Sequence, residues 1–179
     1  MMEAANENRR YMPSHMNRDE FSDVFGGVYE HSPWIAEAVY ADGLTGTQDT
    51  VAGLHDSLRT VVDEADEDKK RALLRAHPDL AGRLAVTGEL TAESTSEQAS
   101  AQLDKCTPEE FTEFQSLNDR YNEAFGFPYI LAVRGRNRQE ILEDFRSRVD
   151  NDAEAEFAQA LKQVHRIALL RIESLFQEN

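Results

Sequence analysis

Apolar residues recur at three- and four-residue intervals along most of this chain, and many of those stretches open on a helix-capping residue. Val51, Leu54, Leu58, Val61 and Val62 form one stripe. Phe111, Phe114, Leu117, Tyr121 and Phe125 form a second, and Ile141, Leu142, Phe145 and Val149 a third. This period puts one apolar face on a helix and does not fit the two-residue alternation of a half-buried strand. The start signals agree. Asn17-x-x-Glu20 and Ser94-x-x-Glu97 have capping-box spacing, Ser32 precedes Pro33, Thr107 precedes Pro108-Glu109-Glu110, and Asn137 stands just ahead of its stripe. Gly43, Gly46, Gly126 and the pair His77-Pro78 supply stops. Helices are therefore expected over about 17–28, 34–41, 51–65, 66–77, 94–103, 107–125, 137–149 and 152–177. The run 127–133 is apolar, contains Pro128 and has no visible partner strand, so it reads as a buried extended segment. The fold class is all-α: a single-domain helical bundle of about seven or eight helices with short loops. The domain is expected over 17–179. The polar, aperiodic stretch 1–16 reads as a flexible leader or an appended remnant.

Charge narrows the function classes. The 179 residues carry a formal net charge of −15, which opposes a phosphate backbone or an anionic membrane surface. An anionic small molecule would meet the same field, so a pocket for one must bring its own positive groups. No stretch approaches the roughly 20 apolar residues of a membrane helix, and no signal peptide opens the sequence, so the expected compartment is the cytoplasm. The closing Phe-Gln-Glu-Asn is not a Ser-Lys-Leu-type address. The single cysteine, Cys106, excludes an internal disulfide and a cysteine cluster, and His15, His31, His55 and His165 show no metal-binding pairing; no metal is expected.

Several residues are candidates for chemistry. Arg171 falls on the stripe of the last helix, seven residues beyond Val164. A guanidinium on a core-facing stripe is costly unless an anion meets it, and three readings stand: an ion pair with a buried carboxylate, an arginine reaching past the core to water, or capture of a ligand carboxylate. His77, before a proline at a helix end, is either a satisfied structural histidine or an acid–base group facing a cavity. Ser94-Thr95-Ser96-Glu97-Gln98 reads first as a helix cap, and the same geometry offers N–H groups and a carboxylate to an anion or imide. The segment from Phe127 through Tyr129, Ile130 and Leu131 is core by composition, yet an extended backbone can offer N–H and C=O groups to a planar ring. Arg134-Gly135-Arg136 reads as an exposed turn.

Taken together these motifs resemble one family, the 2-oxo-4-hydroxy-4-carboxy-5-ureidoimidazoline (OHCU) decarboxylases. His77-Pro78-Asp79-Leu80-Ala81-Gly82 looks like the family signature. Ser94-x-x-Glu97-Gln98 is similar to a second motif, and Leu117-Asn118-x-x-Tyr121 with Phe125-Gly126-Phe127-Pro128 to a third. Glu30-His31-Ser32-Pro33-Trp34 fits the start, and Arg171 falls where a carboxylate-binding arginine is expected. The similarity spans about 17–176. It departs at 42–49, which lacks an Arg-Pro-Phe, at Ala124 in place of a basic residue, and at Tyr129 in place of a phenylalanine. The resemblance implies an all-α, usually homodimeric enzyme that uses no cofactor and converts a ureidoimidazoline to (S)-allantoin. His77 and Glu97 would be its catalytic groups. Pro78, Ser94, Thr95, Ser96, Glu97, Gln98, Tyr129, Ile130, Leu131, Ala132, Val133 and Arg171 would bind substrate. Two other readings stand beside it: a helical lyase or hydrolase acting on another ureido acid such as ureidoglycolate, and a non-catalytic interaction module with an acidic face.

Overall fold

In a computed structural model of the chain, residues 11–82 and 88–177 are described. They form eight α-helices, with no strand among the described residues. The helices are α1 (Arg18–Phe25), α2 (Trp34–Asp42), α3 (Val51–Glu64), α4 (Glu67–Arg75), α5 (Ala92–Ser100), α6 (Pro108–Phe125), α7 (Arg138–Arg148) and α8 (Ala153–Gln177), with short 3-10 turns at Pro13–His15, Gly46–Asp49 and Leu103–Lys105. The all-α class expected from the sequence is borne out. By contacts the chain divides into two units, 1–66 with 167–179, and 67–166. Neither boundary falls in a glycine- or proline-rich stretch, and α8 contributes residues to both.

The first unit is built on the apolar faces of α1 (Phe21, Phe25), α2 (Ile35, Ala36, Val39) and α3 (Leu54, Leu58, Val62) with Ile172 and Phe176 of α8, all buried. Burial of each of these side chains other than Ala36 contributes roughly 1.5–3 kcal/mol. The reading of 1–16 as a leader needs correcting at its end. Pro13 is buried, Ser14 donates to Asp49 through its N–H at 2.8 Å and its hydroxyl at 2.7 Å, and the Tyr11 ring packs edge-on against Phe25 and Phe176. A polar composition concealed this seat because its anchors are one proline, one tyrosine and one distant carboxylate.

The second unit packs Leu73 and Leu74 of α4, Phe114, Leu117, Tyr121 and Phe125 of α6, Ile141, Leu142 and Phe145 of α7, and Ala160 and Val164 of α8. Phe111, expected on the α6 stripe, is 36 % exposed at its edge. The buried face of α8 runs through Glu156, Ala160, Val164, Ala168 and Ile172, and Phe157, Leu161 and Leu175 are only half-buried. Phe157 instead carries the Arg71 guanidinium 4.8 Å above its ring.

Capping boxes form at Asn17, Thr107 and Asn137, as their spacing predicts. Two other caps differ. Pro33 occupies the cap position of α2, and the Ser32 hydroxyl donates to the Glu30 carbonyl at 2.8 Å instead. In α5 the cap is Thr91, whose hydroxyl accepts the Ser94 N–H at 3.2 Å, so Ser94 lies inside the helix and Glu97 a turn further on. At Thr107 the Glu110 carboxyl is held below the usual carboxylate range, first by the Thr107 N–H and then by Arg138. Because the folded pKa is the lower one, this contribution is present above the unfolded carboxylate range and is lost as pH falls through the folded value. Thr107→Ala is expected to cost about 1 kcal/mol and to lower Tm by roughly 2–4 °C. Calorimetry of the two proteins checks this.

Candidate active site

His77 closes the last turn of α4 by donating its N–H to the Leu74 carbonyl at 3.2 Å, and its side chain is 8 % exposed. Its Nδ1 lies 2.9 Å from the Leu73 carbonyl oxygen. A carbonyl only accepts, so Nδ1 carries the proton and Nε2 is the unprotonated nitrogen of the neutral ring. In the neutral ring Nε2 is a lone-pair acceptor, and after taking a proton it becomes a donor.

The loop after His77 is strapped by side-chain amides. The Ala81 N–H donates to Gln98 Oε1 at 3.1 Å, and Gln98 Nε2 donates to the Asp79 carbonyl at 3.4 Å. From α6, Asn118 Nδ2 donates to the Leu80 carbonyl at 3.0 Å, Gln115 Nε2 to the Ala81 carbonyl at 2.7 Å, and Asn122 Nδ2 to Asp79 Oδ1 at 3.1 Å. These bonds hold Ala81 at φ +50, a left-handed conformation that costs a non-glycine residue roughly 1–2 kcal/mol. The same turn needs Gly82, where a Cβ would sit 2.8 Å from Asp79 Cβ. Arg75 Nε, two residues before His77, donates to the Gly126 carbonyl at 2.9 Å and ties the end of α4 to the end of α6.

Ser94 and Gln98 face inward from α5, one turn apart, at 4 % and 5 % exposed. Glu97, next to Gln98, is half-buried, whereas Thr95 and Ser96 are exposed. The α5 amides expected at an open helix start are consumed differently: Thr91 takes the Ser94 N–H by its hydroxyl and the Thr95 N–H by its carbonyl. Any ligand contact from this motif therefore comes from side chains. A cavity of about 430 Å³ is lined by Ala81, Gly82, Leu90, Thr95, Gln98, Leu103 and Phe111, among others.

The run 127–133 is buried throughout and has no helix, turn or bend from Pro128 to Val133, as its composition predicts. Tyr129 stacks on Phe145 with ring centroids 3.8 Å apart and donates its hydroxyl to Asp144. That bond gives the hydroxyl, absent from a phenylalanine, its partner. Arg148 lies 4.6 Å above the same ring, donates to the Ile130 carbonyl at 2.7 Å and pairs with Glu156 at 2.9 Å. Glu156 also accepts from the Tyr121 hydroxyl and from Asn151. Burial, and secondarily the carboxylate partners, push the Tyr121 and Tyr129 hydroxyls well up, so both stay neutral donors.

Arg171 belongs to the first unit. Its Nη2 lies 2.8 Å from Glu30 Oε2, and Nη1 donates to the Gly27 carbonyl at 3.3 Å, with the pair 5 % and 1 % exposed. The buried carboxylate of one sequence reading thus exists, and it is Glu30. Local sequence gave no signal for that pairing, because the partners stand 141 residues apart.

The sequence model of the OHCU decarboxylases matches residues 14–173. The chain belongs to the OHCU decarboxylase family. It is similar to the 2-oxo-4-hydroxy-4-carboxy-5-ureidoimidazoline decarboxylase of Haloferax volcanii, at 40 % identity over 90 % of this chain and 92 % of that protein. It is similar to the mouse protein of the same name at 37 % identity, over 89 % of this chain and 88 % of that one. A crystal structure of (S)-allantoin synthase superposes with a TM-score of 0.72 at 32 % identity, covering 91 % of this chain and 52 % of that one. A crystal structure of OHCU decarboxylase in the presence of (S)-allantoin shares the fold, with a TM-score of 0.68 at 22 % identity over 85 % and 96 % of the two chains. Membership places the chain among the carboxy-lyases. Within this chain the second unit gathers the His77 loop, the inward face of α5 and the extended segment. Sequence reasoning assigned no role to Gln115, Asn122, Arg148, Glu156 or Glu30.

Proposed function

We propose that the protein decarboxylates 2-oxo-4-hydroxy-4-carboxy-5-ureidoimidazoline to (S)-allantoin. The observation that carries this reading is His77: its Nδ1 is fixed on the Leu73 carbonyl, its loop is locked to Gln98, and Glu97 is the neighbour of that glutamine. A histidine held in one tautomer on an over-determined loop suits proton transfer better than it suits simple packing.

The chemistry follows from the substrate. One ring carbon bears both hydroxyl and carboxylate, beside an imine carbon that carries the ureido group. Cleavage of the bond to the carboxylate releases CO2, and its electron pair forms the carbon–carbon double bond of an enol while the imine nitrogen takes a proton. Loss of the enol hydroxyl proton and protonation of the ureido-bearing carbon on one face then give the ketone of (S)-allantoin. The imine is the electron sink, so we propose a reaction that needs no cofactor. In this account His77 Nε2 accepts the hydroxyl proton, and Glu97 serves the ureido and ring N–H groups and the stereospecific proton. Pro78, Ser94, Thr95, Ser96, Gln98 and the stretch from Tyr129 to Val133 surround the ring, and Arg171 orients a carboxylate or carbonyl oxygen. The buried Glu30 partner gives that guanidinium one direction. A homodimer in the cytoplasm is the proposed setting, on the resemblance to the family; among the described residues no helix is long and apolar enough to cross a membrane.

The test is CO2 release from the ureidoimidazoline, formed in place, against glyoxylate release from ureidoglycolate. Turnover of the first alone supports the proposal. Turnover of ureidoglycolate alone would replace it with the other ureido-acid chemistry.

A further inference from the structure

The buried segment 127–133 is held from one side by two groups. Arg148 Nη1 donates to the Ile130 carbonyl at 2.7 Å, and Gln163 Oε1 accepts the Ala132 N–H at 3.1 Å. Glu156, which holds Arg148, and Gln163 lie two turns apart on one face of α8. The stretch from Pro128 to Val133 runs without turn or bend. In an extended chain the N–H and C=O of one residue point to one side, and those of the next point to the other. Holding the Ile130 carbonyl and the Ala132 N–H on one side therefore sends the N–H and C=O of Leu131 to the opposite side. Among the described residues no group bonds either of them, although Leu131 is 3 % exposed. A buried peptide group without a partner is costly, and a bound molecule with an amide-like edge relieves it.

We infer that Gln163 is a positioning residue for the reaction. By accepting the Ala132 N–H it sets the rotation of the segment about its own axis, and so turns the Leu131 donor and acceptor toward the ureido or ring amide of the substrate. This rests on the decarboxylase reading above. Gln163 touches no reacting atom and acts through the backbone. It is half-buried on a helix face, where local pattern reads as an ordinary solvated polar position.

The test compares Gln163→Met, which keeps size and removes the oxygen, with Gln163→Glu, which keeps an acceptor. Two readouts are taken on the full chain: KM and kcat for the ureidoimidazoline, and hydrogen exchange of the Ala132 amide by NMR. Gln163→Met is expected to raise KM about fivefold or more, the size of one lost hydrogen bond, with kcat within about twofold, and to speed Ala132 exchange. Gln163→Glu is expected to hold both near the parent values. Unchanged Ala132 exchange in Gln163→Met, or an unchanged KM, overturns the inference, as does a parallel loss of kcat and KM in both variants. A parent protein that does not turn over the ureidoimidazoline defeats the decarboxylase reading first and the positioning role with it.

Discussion

His77→Asn is expected to lower the rate of allantoin formation by ~10² or more, the scale of acid–base catalysis, while far-ultraviolet circular dichroism and Tm stay close to the parent. Asparagine is chosen because its amide N–H can replace Nδ1 as donor to the Leu73 carbonyl. It has no counterpart to Nε2. The substitution thus separates the two readings of a buried histidine: a structural group is replaced almost without cost, whereas a proton-transfer group is not. The loop itself retains its amide straps from Gln98, Gln115 and Asn118, which do not depend on the ring. Single-turnover measurement of the variant checks the expectation. A rate within a few-fold of the parent would remove His77 from the chemistry and leave the loop as scaffold.

The largest effect on stability is expected from Arg148→Met. Glu156 is 0 % exposed and receives two donors from the Arg148 guanidinium, with Tyr121 and Asn151 completing its shell. Removing one partner of a buried pair leaves an uncompensated charge and costs about 3–5 kcal/mol, which corresponds to a Tm lower by roughly 6–20 °C. It also frees the Ile130 carbonyl and uncovers the Tyr129 ring. Adding Glu156→Gln removes the stranded charge and keeps an acceptor for the Tyr121 hydroxyl, so the double variant is expected to recover part of the loss. Thermal unfolding of the three variants measures this directly. A single variant as stable as the parent, or a double variant worse than the sum of the two, would contradict the account of the network.

What could be read in advance follows the range of the interaction. Caps at Asn17, Thr107 and Asn137 were legible because donor and acceptor lie within three residues. Ser94 was misplaced because Thr91-x-x-Ser94 and Ser94-x-x-Glu97 offer the same spacing, and only the burial of Ser94 and Gln98 decides which hydroxyl starts the helix. The extended run 127–133 was legible from composition and Pro128, but its braces were not: Arg148 and Gln163 are 18 and 31 residues from the backbone groups they hold. His77 could be placed at a helix end from Pro78 alone. The amides that lock its loop come from α5 and α6, and polar residues on helix faces carry no local mark of what they reach. The same holds for Glu30, which stood in a motif without a role until Arg171 was found beside it.

The most direct test of the central claim is the optical activity of the product. The unstable ureidoimidazoline would be generated in place from urate with urate oxidase and hydroxyisourate hydrolase, and circular dichroism followed after this protein is added. The account predicts rapid growth of the (S)-allantoin signal, lost in His77→Ala and Glu97→Ala. Allantoin that forms only at the spontaneous rate and stays racemic would contradict it.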